Sequence, residues 1–301
     1  MKVPSIFVRI AGKKALAATA ALALFLGIAP LQAASAGQGA PAGQGVPAGQ
    51  NVGDLAGPSG APLPVGRIIT DRGPVCTGVL IGRYAVLTAA HCLVTRAGDG
   101  FFSSALIHFA LYPPDGNQLY AKAAERHVAP DYPLPASVDP EALAHDWAVV
   151  ILADPLGDTV PPARLVTGED WRRRGLARRP GTLTVVAFGR ARTLRPTVRR
   201  RACALLDPAG DLRHPALIHH DCIVERGSSG SVLLGLSGGD VLALAVNVAV
   251  RRGGAARTVA TLLPETVRAF GAREPDPLAS INAWESPFAR RTKDAPWSRP
   301  Q

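Results

Sequence analysis

Residues 76–92, which read CTGVLIGRYAVLTAAHC, decide the fold, and they have a counterpart far downstream in residues 227–231, which read GSSGS. The first run is apolar and ends with His91 beside Cys92, whereas the second places Ser229 in a glycine-rich turn. A serine hydroxyl is nearly inert at neutral pH unless a positioned imidazole takes its proton during attack. The two runs are therefore candidates for the two halves of one nucleophilic site.

Length and composition bound the architecture and the partners. The chain has 301 residues, 47% of them hydrophobic and 19% charged, which suffices for a substantial core in one or two compact domains. The net charge is +10, and eleven arginines fall between Trp171 and Ala202. Such a surface suits nucleic acid, anionic lipid or an acidic substrate. Because no nucleic-acid motif or interleaved aromatic residues accompany it, we interpret it as a solvated face and expect no nucleic-acid partner.

The N-terminus has the layout of a secretory signal peptide over residues 1–36. Four basic residues precede an apolar run over residues 15–29, and small residues follow at Ala34-Ser35-Ala36 in an Ala-x-Ala cleavage pattern. The apolar run is short for a membrane span, which needs about 20 residues. We therefore expect export to a secreted or periplasmic location, with membrane contact only in transit.

Composition divides the rest of the chain into three parts. Residues 37–64 predict a flexible linker, because a degenerate repeat of Ala, Gly, Gln and Pro covers residues 36–50 and the segment buries little apolar surface. Residues 272–301 are rich in Pro, Arg and Asp and predict a loosely ordered tail. Between them, residues 65–271 contain short apolar runs bounded by turn residues, which predict an all-β domain with one helical turn at 264–270. The clearest predicted strands cover residues 78–81, 85–90, 105–111, 147–152, 182–188, 231–236 and 241–250.

Four cysteines occur in this exported chain, an even number that favours disulfides. Three pairings exist, and sequence order favours Cys76 with Cys92 and Cys203 with Cys222. The alternative is a metal site that combines cysteines with the adjacent pair His219-His220. No Cys-x-x-Cys spacing is present, so we expect disulfides and no metal.

Four stretches together resemble the trypsin-like (chymotrypsin-fold) serine peptidases, in the form of a secreted bacterial-type member. Residues 76–92 match the family's cysteine, strand and histidine segment, and residues 227–231 match its nucleophile loop. Residues 145–152 (HDWAVVIL) look like its aspartate strand, and residues 185–189 (VVAFG) like the strand that opens its second barrel. The resemblance implies two packed antiparallel β-barrels, about 65–160 and 161–271, with the active site in the cleft between them.

The resemblance also implies a serine endopeptidase that acts on polypeptides without a cofactor. His91 and Asp146 would come from the first barrel and Ser229 from the second, with roles as base, orienting carboxylate and nucleophile. The backbone N–H groups of Gly227 and Ser229 would form the oxyanion hole. Read without the family, Asp146 is alternatively a strand cap, and Ser228 and Ser231 are alternative nucleophiles.

Residue order tests two other serine-hydrolase layouts. A lipase-type elbow needs Gly-x-Ser-x-Gly with its histidine after the serine, but the fifth position is Ser231 and the last histidine is His220. The subtilisin order needs an aspartate before the histidine, and Asp54 and Asp71 stand in linker-like or turn contexts. The order His, Asp, Ser is left.

The nucleophile loop departs from the family's commonest form. Aspartate usually precedes the serine, and glycine and proline follow at the positions that Ser231 and Val232 hold here. In zymogen-type members that aspartate pairs with a newly cut N-terminal amine, which Ser228 cannot do. These departures leave open a second class, a catalytically silent trypsin-fold protein that binds a partner through its cleft or its Arg-rich face.

Residues 223–226, just before the loop, correspond to the floor of the family's specificity pocket, and residues 247–249 correspond to its wall. Glu225 would select Lys or Arg, and Ile223 would select larger hydrophobic side chains. Both readings stay open.

Activity should not require a cut after Arg67, because residues 65–70 (VGRIIT) lack the family's activation sequence and Ser228 cannot receive a new amine. N-terminal sequencing of the active enzyme should find no chain that begins at Ile68. Activity that appears only together with such a chain would contradict this expectation.

Overall fold

The computed structural model describes residues 56–57, 60–71, 73–113, 117–173, 182–188, 198–207, 212–222, 227–237, 240–251 and 257–276. The predicted signal peptide, most of the predicted linker and the tail from residue 277 onward lie outside these ranges. No helix within them is long and apolar enough to cross a membrane.

The first sheet closes into a six-stranded antiparallel barrel. Its strands follow the order β1-β2-β3-β6-β5-β4, and β4 closes the ring by pairing with β1. The adjacent strands β3 and β6 are short apolar runs buried at every position, so both of their faces are covered. The bounds are β1 Val65–Thr70, β2 Gly73–Leu80, β3 Ala85–Thr88, β4 His108–Leu111, β5 Leu119–Val128 and β6 Ala148–Leu152.

The second sheet has eight strands in the order β10-β11-β14-β13-β12-β8-β9, with β7 parallel to β13. All its other pairings are antiparallel. A closed barrel beside this curled sheet confirms the predicted all-β, two-barrel fold class. The bounds are β7 Arg164–Leu165, β8 Thr182–Phe188, β9 Val198–Cys203, β10 Leu205–Leu206, β11 Leu217–His220, β12 Val232–Ser237, β13 Asp240–Arg251 and β14 Arg257–Leu262.

Helices are few and short in the described ranges. Helix α1 (Pro140–Ala144) begins where Asp139 accepts a hydrogen bond from the Ala142 N–H (2.8 Å), with proline at the first helical position. Helix α2 covers Gly168–Arg173. Four 3₁₀ helices cover Ala90–Leu93, Ser104–Leu106, Leu156–Asp158 and Glu265–Ala272, and the last contains the predicted helical turn.

One core joins the two sheets. Val186 and Phe188 of β8 pack in the same buried cluster as Ile68 and Phe109 of the first barrel. The Arg67 guanidinium lies over the Phe188 ring, 5.4 Å from its centroid, and burial lowers the pKa of Arg67. Burial of this shared surface is the main attraction between the sheets.

The chain is already packed against the first barrel where the predicted linker ends and β1 begins. Leu63 is 3% exposed, and the Pro64 carbonyl accepts a hydrogen bond from the Leu80 N–H (2.7 Å), so the end of the predicted linker packs on the barrel. Arg67 and Ile68 are 4% and 0% exposed, and both pair with β2 and with β4. The bond between them is therefore enclosed in the barrel wall.

His108 makes the first barrel sensitive to acid. It lies opposite Lys122 of β5, and its ring stacks on Tyr120 with 5.1 Å between centroids. Burial, and secondarily the charge of Lys122, lowers the pKa of His108 from 6.5 to about 4. The unfolded chain therefore binds a proton that the folded protein does not. The contribution of His108 to the free energy of unfolding is therefore fully present above the unfolded pKa of 6.5. It is lost as the pH falls from 6.5 to about 4.

We expect His108→Phe to keep the ring stacking and remove this titration. The loss of unfolding free energy between about pH 7 and about pH 4 should shrink by about 1 kcal/mol, a value reduced for partial solvent screening. Urea unfolding at the two pH values measures it, with Tyr120→Phe as the control that keeps both the ring and the histidine. An equal acid loss in wild type and His108→Phe would contradict this account.

Candidate active site

His91 and Asp146 meet at the ends of two neighbouring strands. His91 lies in the 3₁₀ turn that follows β3, and Asp146 lies just before β6. Antiparallel pairing places Thr88 opposite Ala148, so the chain leaving β3 passes the chain entering β6. The topology thus joins two residues that are 55 positions apart in sequence.

The Asp146 carboxylate uses both of its oxygens on His91. Oδ2 lies 2.7 Å from His91 Nδ1, and Oδ1 accepts the His91 backbone N–H at 2.9 Å. The carboxylate is 4% exposed, whereas the imidazole is 24% exposed. Because the carboxylate only accepts, the ring proton sits on Nδ1 and Nε2 is the unprotonated nitrogen. An accessible imidazole in this tautomer can act as a general base.

Tyr132 adds to the enclosure of the carboxylate. Its side chain is buried, and burial together with the negative charge of Asp146 raises the pKa of Tyr132. Its phenol stays protonated and places no second negative charge beside Asp146.

The nucleophile loop, residues 227–231, comes from the second sheet but is held by the first barrel. The Thr77 N–H donates to the Ser229 carbonyl (2.9 Å), and Thr77 Oγ1 donates to the Gly227 carbonyl (3.0 Å). Thr77 is 0% exposed, and its Oγ1 also accepts the Phe188 N–H (3.0 Å). One side chain therefore connects β2, β8 and the loop.

Exposure separates the three serines of the loop. Ser228 is 2% exposed and Ser231 is 0% exposed, whereas Ser229 is partly accessible. Because a nucleophile must reach its substrate, this difference favours Ser229 over the other two.

Glycine at position 230 allows the loop to approach β3 closely. Gly230 has φ +76°, and a Cβ there would lie 2.2 Å from Thr88 Oγ1 and 2.5 Å from the Thr77 carbonyl. Gly227 also has a positive φ, +95°. Both positions need a conformation that favours glycine, and at 230 a side chain would push the loop off the strand that leads to His91.

The four cysteines are bonded in the two local pairs. Cys76 is bonded to Cys92, with 6.0 Å between their Cα atoms, and Cys203 to Cys222, with 5.1 Å. Within the described ranges, the clusters of metal-binding residue types are these two pairs, with His91 and His220 respectively. Their sulfurs are disulfide sulfurs and not thiolates, which removes the chemical basis of the alternative cysteine–histidine metal site.

The Cys76–Cys92 bond fixes the position of His91 relative to the loop. Cys92 directly follows His91, and Cys76 directly precedes Thr77. His91 and Thr77, which anchors the loop, are therefore both next to a cysteine of this one disulfide.

Several sequence predictions fall partly or wholly outside the described ranges. The predicted pocket floor at residues 223–226 lies outside them, and so does Asp54. Asp71 is exposed in a turn, and the carboxylate that contacts His91 belongs to Asp146, which does not fit the subtilisin order.

The Arg-rich segment is described only in part. Arg172 and Arg173 are exposed at the end of α2, and Arg173 donates to Asp170 (2.6 Å). Hydrogen bonds from Arg173 and then Arg268 lower the pKa of Asp170. The described end of this segment thus includes an arginine already engaged in an ion pair.

Sequence reasoning missed Thr77 and treated His220 only as an alternative metal ligand. Position 77 had one signal, its place directly after a cysteine of the histidine segment. The partner of Thr77 Oγ1 is 150 positions away, a relation that no local pattern contains.

Two comparisons bear on this site. A family model described as a trypsin-like peptidase domain matches residues 76–244, more than half of the chain. No curated protein matches the chain.

Thr77→Val should uncouple the loop from the barrel while nearly preserving volume. It leaves the Gly227 carbonyl and the Phe188 N–H without their partner, and each such buried group costs about 1–3 kcal/mol. We expect a lower unfolding free energy together with a fall in reactivity of Ser229, measured by denaturant unfolding and by the rate of fluorophosphonate labelling.

Thr77→Ser is the matched control because it keeps the hydroxyl and removes only the methyl group. It should restore most of the reactivity. Equal losses in the valine and serine variants would assign the effect to packing and contradict the role given to the hydroxyl.

Proposed function

This chain belongs to the family of trypsin-like peptidases, and we propose that it is an exported serine endopeptidase that uses His91, Asp146 and Ser229. The observation that carries the proposal is the contact of both Asp146 oxygens with His91, at 2.7 and 2.9 Å. In this arrangement Nε2 is the unprotonated nitrogen, as a general base requires, and the Cys76–Cys92 bond ties the His91 turn to the segment in which Thr77 anchors the Ser229 loop.

In the proposed reaction, Ser229 Oγ attacks the carbonyl carbon of a peptide bond while His91 Nε2 takes the hydroxyl proton. Asp146 stabilises the imidazolium that forms. The carbonyl oxygen becomes an oxyanion, for which the N–H groups of Gly227 and Ser229 are the proposed donors. Collapse of the tetrahedral intermediate breaks the C–N bond, and His91 returns its proton to the leaving amine. Water then hydrolyses the acyl-enzyme by the same route.

The proposed substrate is a polypeptide and the reaction needs no cofactor, since the nucleophile, base and oxyanion donors all come from this chain. Export agrees with the two disulfides, because such bonds persist in oxidising compartments. It also agrees with the basic and apolar N-terminus.

Activation without proteolysis is part of the proposal. Ser228 stands where zymogen-type members carry the carboxylate that a new N-terminus pairs with. Ile68, the residue that a cut after Arg67 would make N-terminal, is 0% exposed in a strand paired on both sides. A chain that began there would have to leave the barrel wall to reach the loop.

Wild-type protein should be labelled by a fluorophosphonate probe, and Ser229→Ala should abolish the labelling. Ser228→Ala should retain it, which separates the accessible serine from its buried neighbour. Asp146→Asn should fold yet lower kcat by about 10⁴-fold, since the amide stabilises the wrong imidazole tautomer.

Labelling followed by peptide mass analysis, together with cleavage of a peptide library, measures these effects. A folded wild-type protein that is neither labelled nor active would contradict the proposal and favour the silent, partner-binding member of the fold.

A further inference from the structure

A buried polar chain leads from β11 to the nucleophile loop. His220 Nε2 lies 2.8 Å from Asn247 Oδ1, and Asn247 Nδ2 donates to Ser231 Oγ at 2.8 Å. The three residues are 0%, 2% and 0% exposed, respectively. Buried polar groups in such a chain are costly to leave unpaired, so each member restrains the next.

The direction of these hydrogen bonds fixes the form of His220. The Asn247 amide donates through Nδ2 and accepts through Oδ1, so His220 Nε2 carries the proton. His220 Nδ1 is then a bare acceptor, and it is buried without a hydrogen-bond partner among the described residues. The site therefore holds a neutral imidazole that donates to one specific amide.

Asn247 also contacts the loop through its backbone. Its carbonyl accepts the Gly230 N–H (3.1 Å), and its N–H donates to the Ser231 carbonyl (2.8 Å). A third bond, from the Ser231 N–H to the Ser228 carbonyl (2.9 Å), closes the turn around Ser229. The end of the loop beyond Ser229 is thus attached to Asn247 by main chain and side chain together.

We propose that His220 is a positioning residue that, through Asn247 and Ser231, holds the nucleophile loop in its reactive conformation without a newly cut N-terminus. This inference rests on the proposed function. Thr77 anchors the loop on the side before Ser229, and the His220–Asn247–Ser231 chain anchors it on the side after. The two anchors together supply the constraint that zymogen-type members obtain from an ion pair at the position of Ser228.

Within the described ranges, the residues that pair with or face His220 from other strands are uncharged. Leu205 of β10 and Thr258 of β14 pair with it, and Asn247 faces it from β13. Its titratable neighbours are Asp221 and His219 on its own segment. Burial lowers the pKa of His220 below 6.5, against opposing contributions from Asn247 and Asp221. A second ring proton would have to bind at Nδ1, for which the described residues provide no hydrogen-bond acceptor.

The test compares two leucine variants of adjacent histidines in the full chain. His220→Leu removes the donor to Asn247. His219→Leu is the matched control, because His219 is 2% exposed on the same strand and its Nε2 lies 3.0 Å from the Leu212 carbonyl. Its Nδ1 is also buried and has no hydrogen-bond partner among the described residues. The two changes remove similar buried imidazoles, but only His220→Leu breaks the series of hydrogen bonds that leads through Asn247 to the loop.

We expect His220→Leu to lower kcat about tenfold while KM changes less than about twofold, since the loss acts on the loop and not on substrate contacts. Hydrogen exchange of peptides that contain residues 227–237 should become faster. His219→Leu should leave kcat and this exchange close to wild type, whatever stability it costs.

His220→Gln supplies a variant whose folding is less at risk, because its amide N–H can replace the Nε2 donor but cannot titrate. It should retain wild-type kcat at neutral pH.

Unchanged kcat and exchange in His220→Leu, or equal changes in the two leucine variants, would overturn the inference. A kcat of His220→Gln as low as that of His220→Leu would do the same. If wild type is not labelled by a fluorophosphonate, the proposed function fails, and the exchange comparison still decides whether His220 positions the loop.

Discussion

Four hydrogen bonds on one buried residue, Thr77, determine where the nucleophile loop lies. Its N–H and Oγ1 donate to the Ser229 and Gly227 carbonyls, its Oγ1 accepts from Phe188, and its carbonyl accepts from Thr88. Because Thr77 is 0% exposed, its N–H and hydroxyl would be left without a hydrogen bond if the loop moved away, and such a loss is costly. Cys76, which precedes Thr77, is bonded to Cys92, which follows His91. His91 and the loop therefore take their positions from the same short segment of β2.

The close approach around Thr77 explains the glycine at position 230. The loop comes so near β3 that a Cβ at 230 would overlap the Thr88 hydroxyl, and the positive φ there also favours glycine. The loop is thus confined on one side by the first barrel and on the other by Asn247 of the second sheet. Confinement from two sheets gives a short, glycine-rich segment one conformation, which its own sequence could not supply.

Local pattern was enough to predict the apolar strands and the His91 segment, but not the elements whose structure depends on their neighbours. Strand β5 (LYAKAAERHV) is rich in Ala, Lys and Glu, which favour helices, and it is extended because β4 and β6 pair with it on both sides. The charged strand β9 was also missed, and it is extended as the edge strand that pairs with β8. At the site, His91, Asp146 and Ser229 lie in recognisable motifs. Thr77 and His220 act through partners 150 and 27 positions away, and a role of that kind is visible only after folding.

The two histidines that bear on the loop show how a partner decides the role of an imidazole. Asp146 accepts from Nδ1 of His91, which leaves Nε2 unprotonated on a ring that is 24% exposed. Asn247 accepts from Nε2 of His220, which leaves Nδ1 unprotonated in a site that is 0% exposed. In each ring the partner fixes which nitrogen lacks a proton, but only in His91 does that nitrogen belong to a ring that a proton can reach from outside the core. The same side chain is thus suited to proton transfer in one place and to holding a loop in the other, and burial makes the difference.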